Sequence, residues 1–251
     1  MLSGLLHLLS FPESGNVFTL WKSVDLYFRI LYPLVIGEQQ MIIEHPGENL
    51  KGEKRMERKV LLIMADKCEE GEVAEILDIM RRAGFACDGV SIAGEYVTGQ
   101  HGVRILADSI MKEDISDYKD YDCLILPGGW GAADAMAADP RITELARYYA
   151  ADPSKYLAAM CAAPGVLAKA GVTKGKTVTS YPGPKLEPLF TDANYVQDTV
   201  AFDDDRHLIT SRGPATAMPF AFAIVDALGG DSAFIKERFL YNMLKDWPDR
   251  V

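Results

Sequence analysis

The run Val60-Leu61-Leu62-Ile63-Met64-Ala65 contains no polar residue that would face solvent. A strand built from it must be covered on both sides, which confines the chain to folds with a buried and mostly parallel sheet. A polar turn follows, and then Val73, Ile76, Leu77 and Met80 fall at helical spacing up to Ala83-Gly84. This is a strand-loop-helix unit. Residues 85–92 read as the next strand, reached by a right-handed crossover from the first.

The same alternation continues along the chain. Residues 103–106 read as a short strand, 109–121 as a polar connection, and 121–126 as a third buried strand closed by Pro127-Gly128-Gly129. The stretch 140–151 is amphipathic, 156–160 is apolar, and 162–170 reads as a helix. Residues 177–180 give a short strand before the rigid turn Tyr181-Pro182-Gly183-Pro184. The segments 196–202 and 207–211 flank Asp203-Asp204-Asp205-Arg206 as a hairpin with an acidic tip. A helix carrying Phe220, Phe222, Ile224, Val225 and Leu228 closes at Gly229-Gly230, and a last helix spans 232–245. Strands and helices in this order predict a three-layer α/β/α sandwich around a mostly parallel sheet.

Residues 1–56 differ in character and read as an N-terminal extension to a domain covering 57–251. The apolar stretch 16–37 is interrupted by Lys22, Asp25 and Arg29, so it lacks the run of about 18 apolar residues that a membrane span needs. Residues 1–12 have the apolar centre of a signal peptide but neither its basic start nor its small-residue cleavage site. Residues 44–59 are dense in charge and contain Pro46, Gly47 and Gly52, as a linker does. Met56 stands just before the first strong strand, and the expectation is that translation starts there, with the upstream piece a loosely attached or mis-assigned extension.

A formal net charge of -10 argues against nucleic acid or an anionic membrane as partner, since both are bound through Lys and Arg. The cysteines Cys68, Cys87, Cys123 and Cys161 are widely spaced, with no CxxC pair and no histidine placed to complete a zinc site with them. No metal site and no cofactor are expected. A reducing, cytoplasmic setting fits this cysteine usage.

In an open α/β sheet the reactive groups collect at the carboxyl ends of the strands. The stretch 156–165 reads there as a nucleophile elbow: an apolar strand ends on Cys161, and Ala159, Ala162 and Ala163 are small enough for the chain to double back. At such a turn the sulfur sits at the start of the next helix, where backbone amides and the helix dipole favour a thiolate. The loop 66–72, Gly128-Gly129, Tyr181 and Arg212-Gly213-Pro214 are expected at the same edge.

Five motifs, in order, resemble the ThiJ/PfpI superfamily, and most closely its branch of the Parkinson-disease-associated deglycase. They are Glu69-Glu70-Gly71-Glu72, Met80-Arg81-Arg82-Ala83-Gly84, Leu126-Pro127-Gly128-Gly129, Ala159-Met160-Cys161-Ala162-Ala163-Pro164 and Thr210-Ser211-Arg212-Gly213-Pro214. The resemblance covers residues 59–228. It implies a flavodoxin-like fold, a homodimer, Cys161 as the reactive residue and Glu72 as its acidic partner. Gly129 and Ala162 are then the backbone donors to a developing oxyanion, while Gly128, Tyr181, Pro214 and His101 line the substrate site. Two positions depart from the family pattern. Tyr181 stands where many members have a histidine, and a phenol is a poor base near neutral pH. His101 stands where the deglycase has an arginine that helps to bind anions.

The function expected from these residues is a cysteine-dependent, cofactor-free glyoxalase or deglycase acting on a small carbonyl substrate such as methylglyoxal, or on early glycation adducts. The alternative is an oxidative-stress sensor or chaperone-like protein that works through oxidation of Cys161. A cysteine peptidase or amidase ranks lower, because Tyr181 leaves the thiol without an imidazole.

Overall fold

The computed structural model describes residues 58–203, 205 and 207–246. The expected extension 1–56 and part of the acidic hairpin tip lie outside the described residues. Strand β1 (Lys59–Met64) lies near the middle of the sheet, and Val60 to Met64 are completely buried. It pairs in parallel with β2 (Ala86–Ser91) on one side and with β6 (Cys123–Leu126) on the other. The hairpin β3 (Tyr96–Thr98) and β4 (Arg104–Leu106) stands outside the main sheet. Beyond β6 come β7 (Tyr156–Met160) and β11 (Leu208–Ser211), both parallel to it.

Two short strands close the edges. β5 (Ser109–Ile110) extends β2 in parallel, and β10 (Val200–Phe202) turns back antiparallel on β11. Among the described residues the main sheet runs β10-β11-β7-β6-β1-β2-β5, so strand order reverses between β1 and β6. A ligand-binding crevice forms outside the strand ends at such a reversal.

Helices cover both faces, as the all-apolar central strands require. On one face α1 (Glu70–Arg82) packs against α5 (Ala217–Ala227), whose far side meets α6 (Ser232–Arg238). On the other, α2 (Trp130–Ala138), α3 (Pro140–Ala151) and α4 (Pro164–Ala170) pack together. Asp139 ends α2 and caps α3, accepting the Arg141 N–H at 2.9 Å, while Pro140 supplies the fixed φ of a first helical turn. The expected sandwich is present.

Three local expectations are corrected, and one helix is unexpected. Residues 109–121 carry strand β5 and a 3₁₀ turn at Ser116–Asp120 as well as connection. The strand expected at 177–180 shortens to β8 (Thr177–Val178) and pairs with β9 (Asn194–Tyr195) outside the main sheet. The last helix ends at Arg238, where Leu240 takes a positive φ and a 3₁₀ turn, Tyr241–Asp246, follows. Helix α2 had no sequence signature, because its alanines leave it without a polar face.

Candidate active site

Glu72 lies in the first turn of α1 and is fully buried. Its Oε2 accepts the Gly128 N–H at 2.6 Å, joining the loop after β6 to the helix after β1 across the reversal in strand order. Burial pushes the carboxyl up to about 7, and the Gly128 N–H and a hydrogen-bonding contact with Cys161 oppose that only in part. Its Oε1 is buried without a hydrogen-bond partner among the described residues.

Cys161 follows β7 with φ at +59°. An L-residue held there costs roughly 1–2 kcal/mol and needs surroundings that leave no alternative. Two main-chain bonds supply them: the Cys161 N–H donates to Ser211 O at 3.0 Å, and Cys161 O accepts the Tyr181 N–H at 2.8 Å. The elbow is thus pinned between β11 and the segment that follows β8.

The sulfur is nearly closed off, with Cys161 8% exposed. Burial raises the thiol well above its ordinary value, and the adjacent Glu72 charge raises it further, while the N–H groups of Gly129 and Ala162 work in the opposite direction. The expectation of a thiol lowered by a helix end is corrected here. Helix α4 begins only at Pro164, and the groups facing the sulfur are two amides and a carboxyl. A thiolate and a carboxylate in one small cleft repel each other, so the pair holds one proton in common and titrates as a unit.

The two glycines after β6 are required by this crowding. A Cβ on Gly128 would sit 2.7 Å from Glu72 Oε2 and 2.8 Å from the Cys161 sulfur. Gly129 has φ at +97°, and a Cβ there would lie 2.6 Å from the Cys68 Cα. The backbone therefore reaches both reactive groups only because neither residue has a side chain.

Tyr181 is 40% exposed and meets Trp130 edge-on, with ring centroids 5.9 Å apart. Its ring also lies against Gly213, where a Cβ would come within 3.3 Å of Cδ2. Lys185 stacks over the other aromatic, its Nζ 4.4 Å from the Trp130 centroid. A cavity of about 400 Å³ opens alongside, lined by Trp130, Ala162, Val166, Lys185 and Leu186 among others. A larger one of about 710 Å³ lies near Phe202, Phe222 and Tyr241; neither lining includes Cys161 or Glu72, but the smaller cavity reaches Ala162, next to the thiol, and the larger one meets β7 only at Tyr156, the end of the strand away from the thiol. Trp130 escaped the sequence reading, although an aromatic directly after the Gly-Gly turn was a usable signal.

Pro214 is exposed and opens a short 3₁₀ turn, Pro214–Thr216, whose Thr216 hydroxyl accepts the N–H groups of Arg212 and Gly213. His101 is exposed, and its ring faces the carboxylates of Glu69 and Glu70, surroundings that repel an anion. The other three thiols are buried. Burial pushes Cys68 up to about 11 and Cys87 to about 12, and holds Cys123 well above the ordinary thiol value. No described helix is long and apolar enough to cross a membrane.

Residues 58–227 match the model of the DJ-1/PfpI family. The chain is 39% identical over 176 residues to protein dj-1beta of Drosophila melanogaster, an alignment covering 70% of this chain and 91% of that one. It is 36% identical over 174 residues to the Parkinson disease protein 7 homolog of Danio rerio, covering 69% and 90%. The crystal structure of Drosophila melanogaster DJ-1beta superimposes with a TM-score of 0.66 at 36% identity, over 74% of this chain and 98% of that one. With the flavodoxin-like sheet, the elbow at Cys161 and a match over most of its length, the chain belongs to the DJ-1/PfpI family.

Proposed function

We propose that the protein is a cysteine-dependent glyoxalase or deglycase that needs no cofactor, takes small dicarbonyls such as methylglyoxal or early glycation adducts, and works as a cytoplasmic homodimer. The observation that carries this reading is the buried Glu72 carboxyl, held by the Gly128 N–H against a sulfur that faces the amides of Gly129 and Ala162.

The shared proton sets the sequence of steps. With the proton on Glu72, the Cys161 thiolate adds to the aldehyde carbon, and the new oxyanion takes the proton to give a hemithioacetal. The amides of Gly129 and Ala162 stabilise the charge as it develops. Glu72, now a carboxylate, removes the proton from that carbon and returns it to the neighbouring carbonyl carbon. This converts the hemithioacetal to a thioester of the 2-hydroxy acid. Water then cleaves the thioester, releasing the hydroxy acid and restoring the thiol. The net change is addition of one water to the dicarbonyl. Tyr181 and Trp130 form an aromatic wall that orients the substrate, and Tyr181 is not asked to act as a base.

Purified protein is expected to form lactate from methylglyoxal without added glutathione. Equal rates from the Cys161→Ala protein would overturn the thiol mechanism.

The same two amides favour a second reading, an oxidation sensor. A sulfinate on Cys161 places oxygens where Gly129 and Ala162 can donate to them, beside a protonated Glu72.

A further inference from the structure

Glu69 and Glu70 lead into α1 with their side chains 11% and 10% exposed, so two neighbouring carboxylates are largely withdrawn from water. They face the ring of His101, whose Nδ1 lies 3.4 Å from Glu70 Oε2 and 3.8 Å from Glu69 Oε2. The positive end of α1 favours both as anions. Glu70 Oε1 accepts the His101 N–H at 2.9 Å and the Val103 N–H at 3.5 Å. Burial works against ionisation of Glu70, but those donors outweigh it and hold the carboxyl below its ordinary range. Its Oε2 is buried with no hydrogen-bond partner among the described residues and points at the imidazole.

An unpaired carboxylate oxygen at such a depth is costly unless something positive meets it. The hairpin is shaped around this group. A Cβ on Gly99 would lie 2.6 Å from the Glu70 Cδ, so the turn admits the carboxylate only because Gly99 has no side chain.

The two segments that carry these groups are already fastened together. Lys67 N–H donates to Thr98 O at 2.7 Å, Gln100 N–H to Cys68 O at 2.9 Å, and Thr98 N–H to Asp66 Oδ1 at 2.8 Å. The Gln100 amide also donates to Glu69 Oε2, which retains a second lone pair. One ligand atom from each of Glu69, Glu70 and His101 lies within 4.8 Å of the others. Donors around a tetrahedral ion with bonds near 2.1 Å stand about 3.4 Å apart, so small side-chain movements suffice. His101 is 67% exposed, which leaves a path from solvent and room for a water ligand.

We propose that Glu69, Glu70 and His101 form a binding site for a divalent transition cation such as Zn²⁺, separate from the Cys161 centre. Two carboxylates and one imidazole suit a borderline ion better than Mg²⁺ or Ca²⁺, which prefer oxygen alone. The ion ties the loop after β1 to the β3–β4 hairpin. That loop also donates the Glu69 N–H to Gly128 O at 3.0 Å, so the ion steadies the turn that holds Glu72. The site runs against the expectation of no metal ligands. Glu70 and His101 are 31 residues apart, and only the hairpin brings them together.

The inference does not depend on which reaction Cys161 supports, and the test is binding itself. Full-length protein stripped with a chelator is dialysed against Zn²⁺, bound metal is counted, and the melting temperature is recorded with and without the ion. Wild type and Cys161→Ala are expected to bind one equivalent more than His101→Ala and to gain thermal stability that His101→Ala does not. Glu69→Gln is expected to weaken this equivalent at least tenfold. Full Zn²⁺ binding by His101→Ala, or loss of the equivalent in Cys161→Ala alone, would overturn the proposal. His101 is exposed enough for its replacement to leave the fold intact, so the comparison stands even if a Glu70 variant does not fold.

Discussion

Gly128 donates its backbone N–H to Glu72 Oε2 at 2.6 Å while its Cα faces the Cys161 sulfur, so one residue without a side chain spaces the acid from the thiol. Gly128→Ala puts a methyl group within 2.8 Å of both Oε2 and the sulfur, and one of the three must move. Displacement on that scale is expected to lower kcat/KM for methylglyoxal about a hundredfold. Circular dichroism and a thermal melt alongside the kinetics check that the loss comes from the site. A rate within twofold of wild type in a folded variant would refute this account of the glycine.

Glu72 makes stability depend on pH in an unusual direction. Its folded value of about 7 lies above the ordinary 4.5, so the folded protein holds this proton more tightly than the unfolded chain does. The contribution is fully present below about 4.5 and is lost as pH rises through about 7, a change on the order of 3 kcal/mol. Urea denaturation across pH 4 to 8, with the Glu72→Gln curve subtracted, is expected to isolate that decline. Glu72→Gln also removes the charge that raises Cys161, so alkylation by iodoacetamide is expected to set in at lower pH while turnover falls roughly 10²- to 10⁴-fold.

The left-handed backbone at Cys161 predicts an inverted substitution order. At most positions glycine is the less stable replacement, but here φ is +59° and an L-residue carries the strain. Cys161→Gly is expected to be more stable than Cys161→Ala by about 1 kcal/mol in urea melts, both being inactive. The reverse order would mean that the surrounding hydrogen bonds relieve the strain.

Mild peroxide is expected to add two oxygen atoms to Cys161 before any other cysteine, as read by intact mass and peptide mapping. Cys68 and Cys123 have no exposed surface and Cys87 is 5% exposed, whereas Cys161 is 8% exposed and its sulfur faces the amides of Gly129 and Ala162, which can hold the added oxygens. First oxidation at Cys68 would count against the sensor reading.

The fold was legible wherever burial imposed a pattern. The unbroken run 60–65 demanded a covered strand, and Val73, Ile76 and Met80 marked the buried face of α1. Helix α2 was not, because Ala132, Ala133 and Ala137 look alike whether they face the core or the solvent. The edge strand β5 was missed because Ser109 and Ile110 are both exposed, so no alternation marks them. At the site, the turn at Cys161 and the approach of Glu72 to it were readable from turn chemistry and the family resemblance, but the direction of the thiol's proton affinity was not. It follows from the depth of the sulfur and the nearness of the acid, which are properties of packing. The facing of His101 toward Glu69 and Glu70 likewise arises from main-chain bonds between the β3–β4 hairpin and the loop after β1, and no spacing rule encodes those.

The two outer strands of the main sheet have a consequence for self-association. β5 offers two residues, and β10 three, the latter leading directly into Asp203 and Asp205, which Lys176 partly neutralises at 2.5 and 3.3 Å. Neither rim is long enough to template a strand from another molecule, and the acidic end of one rim repels its own kind. Among the described residues, the folded main sheet thus has no long open strand at either rim. The folded sheet therefore offers fibrous growth no register at either rim, and only opening of the sheet itself would expose its long apolar strands.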